Sequence, residues 1–285
     1  MSWMEDANAA SRDMRRLAGP YARAILVATP QGNFAVPVDD VFVGLELRNS
    51  GSFAANELNL LRSLCNPNTR LLAVGAHIGA LAIPLAKSCH SVTAIEANPQ
   101  TFELLNLNVA LNSLTNFRAI NKAAGNRWEQ IEFVMNRVNT GGSKRKPAVA
   151  RPDFFYDNPQ IMKIESAPLD ELLPGETFDV VLMDIEGSEY FALQGMQRIL
   201  ASAAVLQVEF APHHLQFVAN VSVADFLATI TPHFHSMVIP SKGTILARDQ
   251  FIPVLSAMFN RGESDSGLLF FKLPPDQVHW RSSPA

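Results

Sequence analysis

The chain has 285 residues, of which 48% are hydrophobic and 18% charged, so it is long enough to bury a core in one large domain or two small ones. Its 23 Lys and Arg against 27 Asp and Glu give a net charge of −4, which argues against broad nucleic-acid binding because that needs a basic surface. Its two cysteines are too few for a disulfide scaffold or a zinc site.

Neither a membrane span nor a secretory signal is visible in the sequence. The longest apolar stretch, residues 71–86, is shorter than the ~20 residues that cross a bilayer, and it contains a histidine, a proline and two glycines. The first 16 residues mix acidic and basic side chains without an apolar run. We therefore expect a cytoplasmic protein with no membrane partner.

Residues 1–66 predict an N-terminal extension of a hairpin and a helix, packed on a main domain that spans 67–285. The hairpin is indicated by two apolar runs on either side of a Pro-Gln-Gly turn, and the helix by leucines at helical spacing. In chain order, the sequence predicts a helix or partly ordered arm over 1–19, hairpin strands at 24–27 and 33–38, and a helix over 55–64.

In the main domain, short apolar runs alternate with helical segments. This alternation predicts right-handed crossovers and a doubly wound, mostly parallel α/β sheet with helices on both faces. The interval 138–159 is the one long polar stretch and predicts a loop. Strands are predicted at 70–74, 91–96, 117–122, 131–135, 162–165, 178–184, 205–210, 234–239 and 268–273, and helices at 80–88, 99–112, 189–200 and 223–231.

The turn after the first of these strands runs from Gly75 to Gly79, where ligands bind in sheets of this kind. A dinucleotide site would place glycines at positions 75, 77 and 80, but His77 and Ala80 occupy the last two. The remaining G-x-x-x-G spacing favours a ligand with a carboxylate over one with a pyrophosphate. A purely structural strand-to-helix turn is the alternative, because it also uses glycine.

Glu96 ends the second strand, 21 positions after Gly75. At about this distance an acidic residue binds ribose hydroxyls in nucleoside-binding α/β folds; the alternative is a solvated surface glutamate. A ribose-binding acid beside an altered glycine motif predicts adenosine without pyrophosphate, which describes S-adenosylmethionine.

Three carboxylates follow the strand at 178–184: Asp184, Glu186 and Glu189. Carboxylates at a strand end are costly to bury unpaired, which favours a functional role for Asp184. Glu189 falls in the first turn of the next helix, where the helix dipole favours negative charge, so for Glu189 a capping role is favoured.

Six segments in a fixed order carry a family resemblance: VGAHIGALAIPLA, VTAIEANPQTFELLNLNVALN, INKAAGN, NTGGS, LMDIEGSEYFALQGMQRIL and LQVEF. Over residues 43–215 the chain resembles the FkbM family of S-adenosylmethionine-dependent methyltransferases, and the DIEGSE segment is the most specific. The resemblance implies a seven-stranded, Rossmann-like class I methyltransferase sheet, with 234–239 and 268–273 as an antiparallel pair. It also implies methyl transfer to oxygen, often a hydroxyl of a sugar or secondary metabolite.

The chain departs from the family at Ala73, where an acid normally supports the methionine amine of the cofactor. That role would shift to Asp184, to Ser50 or Ser52, or to His77. The departure also keeps open a homologue that binds the cofactor without catalysis.

The resemblance implies roles for residues at several strand ends. Asp184 and Glu186 are expected to contact the cofactor or acceptor, and His213 or His214 is the candidate base. We expect no metal site, since the carboxylates and histidines lack tight ligand spacing, and we expect the basic run 143–151 to be a solvated loop, with an acceptor-binding lid as the alternative. The predicted cofactor-binding residues are Ser52, Gly75, Ala76, His77, Ile78, Gly79, Glu96, Ala97, Asn98, Asn121, Lys122, Ala123 and Asp184, and the predicted catalytic residues are Asp184, Glu186 and His213.

We therefore expect an S-adenosylmethionine-dependent O-methyltransferase acting on a small-molecule or sugar hydroxyl. N-methylation of a small molecule or peptide is the alternative, and a dehydrogenase is disfavoured by the missing glycines. The sequence does not identify the acceptor, and it leaves a homodimer open.

Overall fold

The computed structural model describes residues 3–278. Within them the chain forms three β-sheets, and helices cover both faces of the largest. The strands are β1 (Ala24–Thr29), β2 (Gly32–Pro37), β3 (Arg70–Val74), β4 (Ser91–Glu96), β5 (Phe117–Asn121), β6 (Ala123–Ala124), β7 (Glu129–Met135), β8 (Lys144–Arg145), β9 (Gln160–Ala167), β10 (Val180–Met183), β11 (Val205–Phe210), β12 (Ser236–Ile239), β13 (Thr244–Ala247) and β14 (Asp265–Phe271). The helices are α1 (Trp3–Ala18), α2 (Val43–Ser50), α3 (Ala55–Ser63), α4 (Ala82–Ala86), α5 (Pro99–Leu111), α6 (Leu169–Leu172), α7 (Glu189–Gln194), α8 (Gln197–Ser202), α9 (Pro212–His214), α10 (Val223–Ala228) and α11 (Phe251–Arg261).

The main sheet has the strand order β13-β12-β14-β11-β10-β3-β4-β5. The five strands from β11 to β5 are parallel to one another, and β14 runs antiparallel between β11 and β12. The chain builds outward from β3 to β5 and then returns to the other side of β3 with β10. The strand order therefore reverses between β3 and β10, which is where ligands bind in doubly wound sheets.

The predicted α/β fold is confirmed, including the antiparallel pair near the C-terminus. The sheet has one strand more than the expected seven, because β13 forms a hairpin with β12 at its edge. The predicted strands at 131–135 and 162–165 exist as β7 and β9, but they pair with each other in a separate sheet of order β6-β9-β7-β8. This second sheet stands over the carboxyl ends of the main sheet and provides one wall of the site.

The side chains of β3 alternate between two apolar cores. Leu71 and Ala73 face the core beneath α2, α3, α4 and α5, whereas Leu72 and Val74 face the core beneath α7, α8, α10 and α11. A central strand buried on both faces is typical of a parallel sheet covered by helices.

The N-terminal hairpin packs into the core that contains Leu71 and Ala73 of β3. Phe34 and Val36 of the hairpin are fully buried in it. The buried Asn108 of α5 accepts a hydrogen bond from the Ala35 N–H at 2.6 Å and donates to the Ala35 carbonyl at 3.2 Å. A satisfied buried amide of this kind fixes the hairpin against α5.

Several helices differ from the sequence prediction, and α6, α9 and α11 have no predicted counterpart. The predicted helix over 189–200 is broken into α7 and α8 at Gly195, where a Cβ would lie 2.0 Å from the carbonyl oxygen of Gly125. The short helix α2 was not predicted. Its first N–H groups are held by the carboxylate of Asp40, which accepts from Phe42 at 3.0 Å and Gly44 at 2.8 Å.

No helix within residues 3–278 is both long and apolar enough to cross a bilayer.

Candidate active site

The carboxyl ends of β3 and β10 meet at the centre of the main sheet, with Val74 beside Met183. Gly75 follows with φ +86°, a conformation that only glycine adopts readily. A Cβ at Gly75 would lie 1.8 Å from the carbonyl oxygen of Asp184. Glycine is therefore required for the two strand ends to approach each other. These strand ends form the floor of the site.

A cleft, which we call the first cavity, opens over these strand ends and holds about 540 Å³ of space, including part that is open to solvent. Ile131 and Phe133 of β7 form an apolar wall, joined by Ala97 and Ala123. Glu96 is prominent among its polar groups. A cleft with apolar walls and a few placed polar groups suits a planar organic ligand.

The carboxylate of Glu96 is 7% exposed and is held by three protein donors. The His77 N–H donates to Oε2 at 2.7 Å, while the Asn98 N–H and the Thr101 hydroxyl donate to Oε1 at 2.8 and 2.9 Å. A carboxylate accepts about four hydrogen bonds. One acceptor position therefore remains, on Oε2, at the wall of the first cavity.

His77 lies between the first cavity and its neighbour and has φ +52°. The Thr140 hydroxyl donates to the buried Asp40 carboxylate, so it accepts the hydrogen bond from His77 Nε2 at 2.7 Å. This network places the proton of the ring on Nε2. Burial lowers the pKa of His77 more than the carboxylates of Asp40 and Glu96 raise it, so the ring is neutral near pH 7 and Nδ1 can accept.

A second cavity of about 1020 Å³ adjoins the first and shares Gly75, His77 and Asp184 with it. It lies between the ends of β3, β10 and β11 and the helices α2 and α3. Its walls are mostly apolar, and its carboxylates are Glu57, Asp184 and Glu186.

Beyond Glu186, a charged cluster is formed by Lys144, Glu186, Glu209 and His214. Lys144 Nζ donates to Glu186 Oε2 at 3.0 Å, and the side chain of Lys144 is 6% exposed. The ring of His214 lies between two carboxylates, with Nε2 3.2 Å from Glu186 and Nδ1 3.2 Å from Glu209. Burial raises the pKa of Glu186, but Lys144 and His214 outweigh burial, so its net pKa is lowered.

A third cavity of about 780 Å³ lies over this charged cluster and shares Phe42, Asn139 and Glu186 with the second. Trp3 of α1, Phe154 and Tyr156 add aromatic walls. The aromatic and hydrogen-bonding side chains together suit a polar organic molecule. The three cavities thus follow one another across the carboxyl edge of the sheet.

Burial and mutual repulsion raise the pKa of three carboxyls near the centre. The side chain of Asp184 is exposed, but toward the partly enclosed space of the first two cavities. Poor hydration there, followed by the charge of Glu209, raises its pKa well above the usual value. Burial likewise raises the pKa of Glu189 to about 7 and that of Glu209 to about 8.

Oxygens of Asp184, Glu189 and Glu209 lie within 4.8 Å of one another, near enough to approach one cation. Both oxygens of Glu189 are already bound, since the N–H groups of Ile185 and Gly187 donate to them at 2.9 Å. Glu189 thus holds the loop after β10, whereas the predicted role as a cap of α7 is not seen, because neither bond is to an N–H group of that helix.

The structure brings most of the predicted site residues together. Gly75, His77, Glu96, Ala97, Lys122, Ala123 and Asp184 line the first cavity, Ala76 and Glu186 line the second, and His213 lines the third.

Five predicted cofactor residues do not line these cavities. Ile78 and Gly79 lie in the core behind the turn, and Asn98 caps α5 by accepting from the Gln100 N–H. Asn121 donates to the Glu96 and Ala97 carbonyls, and Ser52 lies beyond α2, bonded to Ser50.

The prediction of a solvated loop at 143–151 is wrong for Lys144. Its side chain is buried against Glu186, with Nζ 5.4 Å from the ring centre of Phe154. Lys146 fits the prediction, since its side chain is 46% exposed and pairs with Glu132. Counting charges along the sequence does not distinguish these two lysines, because the partners of each lie far away in the chain.

Five residues of the site were not predicted from the sequence: Asp40, Glu57, Thr140, Ile131 and Phe133. The last two alternate along β7, which signals one strand face but not the cavity it meets. Asp40 could have been found, because an aspartate shortly before an apolar segment is a signal for the start of a helix. Nothing in the sequence indicates that Thr140 contacts both Asp40 and His77.

The main sheet, with β14 antiparallel between β11 and β12, has the strand order expected of a class I methyltransferase domain. The family model described as "Methyltransferase FkbM domain" matches residues 73–243, more than half of the chain, and the chain belongs to this family. No curated protein sequence matches it.

Several solved structures are similar to the chain at low identity. The methyltransferase FkbM of Methylobacillus flagellatus KT is 16% identical over 72% of this chain and 44% of that one, with a TM-score of 0.43. The tRNA (uracil-54, C5)-methyltransferase of Pyrococcus abyssi, solved with S-adenosyl-L-homocysteine, is 12% identical over 66% and 34%, with a TM-score of 0.38. An rRNA methylase of Streptococcus thermophilus is 10% identical over 75% and 91%, with a TM-score of 0.41. This chain spans less than two thirds of the length of the first two.

Proposed function

We propose that this methyltransferase uses S-adenosylmethionine to methylate a hydroxyl oxygen of a small molecule or sugar in the cytoplasm. The observation that carries the proposal is the Glu96 carboxylate, which three protein donors fix at the wall of the first cavity with one acceptor position free. A ribose hydroxyl fits that position.

The residues of the first two cavities fit the parts of this cofactor. Glu96 would bind the ribose, Ile131 and Phe133 would pack against the base, and the methionine portion would pass Gly75 toward the second cavity. The cofactor supplies a methyl group activated on a sulfonium. The protein then has to position the acceptor, and such positioning can contribute ~7–11 kcal/mol.

The third cavity is the proposed acceptor site, and His213 is its proposed base. Burial lowers the pKa of His213 to about 4, helped by the charges of His214 and Lys144, so the ring is neutral at pH 7. The ring stacks on Phe154, with centroids 6.2 Å apart, and makes no hydrogen bond to any described residue. A weak base suffices here, because a hydroxyl oxygen becomes strongly acidic as it gains a methyl group.

An amine acceptor is the second candidate. Asp153, Glu186 and Glu209 also line the third cavity, and carboxylates attract a cationic amine. Methyl transfer to nitrogen of a small molecule or peptide would follow if the amine loses its proton in the cavity.

The test is calorimetric titration with S-adenosylhomocysteine, with NAD as the control, followed by transfer of labelled methyl groups to sugars and to amines. We expect binding of S-adenosylhomocysteine but not of NAD, and labelling of hydroxyl acceptors. His213→Gln should lower kcat by roughly 10²-fold while leaving cofactor affinity unchanged.

Three outcomes would replace the proposal. Binding of NAD instead would indicate a dinucleotide enzyme, and transfer to amines alone would make this an N-methyltransferase. Binding of S-adenosylhomocysteine without transfer to either class would indicate a homologue that lacks catalysis.

A further inference from the structure

A row of three uncharged side chains on the main sheet lies beneath the second cavity. Ala73, Leu182 and Gln207 are direct neighbours across β3, β10 and β11, so their side chains point to the same face of the sheet. All three line the second cavity. Because Ala73 presents only a methyl group, the end of this row nearest Gly75 carries no charge of its own.

Glu57 of α3 brings a carboxylate to this row from above. It lines the second cavity, and Gln207 Nε2 donates a hydrogen bond to its Oε1 at 2.6 Å. Gln207 is itself fixed, since a Cβ on Gly267 of the neighbouring strand would lie 2.2 Å from Gln207 Nε2. Oε2 of Glu57 accepts no hydrogen bond from residues 3–278.

The charges around the second cavity favour a cation. Its lining residues, all within the described part of the chain, include the carboxylates of Glu57, Asp184 and Glu186 but no lysine or arginine. Glu186 is already paired with Lys144, whose Nζ lies 3.0 Å away, so Glu57 and Asp184 are the carboxylates open to a cation. Burial raises the pKa of Glu57 and the nearby Asp265 adds to this, while the hydrogen bond from Gln207 opposes it. The ionised form of such a half-buried carboxylate is stabilised when a cationic group enters beside it.

We propose that Glu57 binds the α-ammonium group of S-adenosylmethionine, in place of the acid that position 73 lacks. This inference rests on the proposed function. Of the other candidates predicted from the sequence, Ser50 and Ser52 are less suitable because they hydrogen-bond to each other and do not line the cavity. Asp184 lines the same cavity, but poor hydration and the charge of Glu209 raise its pKa and so disfavour its charged form. His77 is neutral and hydrogen-bonded to Thr140.

The test compares two ligands that share the nucleoside and thioether. S-adenosylhomocysteine carries the amino-acid group, and 5′-methylthioadenosine does not. Calorimetry on Glu57→Gln should show affinity for S-adenosylhomocysteine reduced at least about tenfold, and affinity for methylthioadenosine within twofold of the unmodified protein. The control is Glu103→Gln on α5, an exposed residue paired with Arg23, which should change neither affinity.

Restoring a charge should reverse the effect. Ala73→Asp added to Glu57→Gln places a carboxylate on β3 and is expected to recover most of the affinity for S-adenosylhomocysteine. If Glu57→Gln does not fold, Glu57→Asp takes its place, since the shorter side chain withdraws the carboxylate and should weaken only the amino-acid ligand.

The outcomes separate this inference from the proposed function. If the unmodified protein binds neither ligand, the proposed function fails. If it binds both and the Glu57 variant still binds S-adenosylhomocysteine as tightly, Glu57 has no role at the ammonium group. Equal weakening for both ligands would also overturn the inference, because it would show a general structural role.

Discussion

Replacing Lys144 by methionine tests whether the charged cluster beneath the third cavity stabilises the fold. Lys144 Nζ lies 3.0 Å from Glu186 Oε2, and the two side chains are 6% and 21% exposed. Methionine retains much of the apolar stem but removes the charge. Glu186 would then keep only His214 as a partner, at 3.2 Å.

The expected loss of stability follows from the burial of this pair. Removing one member of a buried ion pair destabilises by ~3–5 kcal/mol because the other charge is left unpaired. Because Glu186 keeps His214 as a partner and faces a cavity, we expect Lys144→Met to lower the free energy of unfolding by ~2–3 kcal/mol. The matched control is Lys146→Met, whose pair with Glu132 is 46% and 50% exposed and should contribute only ~0–1 kcal/mol.

Urea unfolding followed by circular dichroism measures both variants. A difference of ~2 kcal/mol corresponds to midpoints that differ by roughly 0.7–1 M urea. The lowered pKa of Glu186 adds a pH test, because its stabilisation is present above the ordinary value of 4.5 and is lost as pH falls through the lower folded-state value. Equal midpoints for the two lysine variants at pH 7 would refute the reasoning.

Three further predictions concern the strand ends and the central acids. Glu96→Gln should weaken S-adenosylhomocysteine binding at least about tenfold in calorimetry. The amide NH₂ of the glutamine would face the His77 N–H, which is also a donor, and the free acceptor position would be lost. Unchanged affinity would remove Glu96 from the ribose site. Gly75→Ala should lower the free energy of unfolding by ~3 kcal/mol or more, whereas the control Gly175→Ala should lower it by only ~1 kcal/mol. Both glycines have positive φ, but only Gly75 lacks room for a Cβ. Equal losses in urea unfolding would contradict this steric explanation. Between pH 6.5 and 8.5 the free energy of unfolding should fall by roughly 2–3 kcal/mol, since the raised pKa values of Glu189, about 7, and Glu209, about 8, keep protons on the folded state that the unfolded state has released. A flat profile, or one whose slope Glu209→Gln does not reduce, would count against it.

The strand ends of the site could be predicted because their signals are local. An apolar run that ends in Gly75, and another that ends in Glu96, places each residue at the edge of a parallel sheet without knowledge of the remaining chain. The same holds for Asp184, which directly follows a buried strand. The first cavity was therefore foreseeable in outline.

The remaining features depend on contacts between distant parts of the chain. Lys144 is buried because Glu186, 42 positions away, faces it, and nothing in a basic run indicates that partner. Likewise, the position between α7 and α8 requires glycine because Gly195 lies against the backbone of Gly125, 70 positions earlier. Glu57 reaches the second cavity only because Gln207, 150 positions later, holds it there.

The most direct test of the account is a crystal structure of the protein with S-adenosylhomocysteine. We predict a ribose hydroxyl within hydrogen-bond distance of Glu96 Oε2, the base against Ile131 and Phe133, and the amino-acid end in the second cavity beside Glu57. A nucleoside bound elsewhere, or a first cavity that stays empty at saturating ligand, would contradict the account.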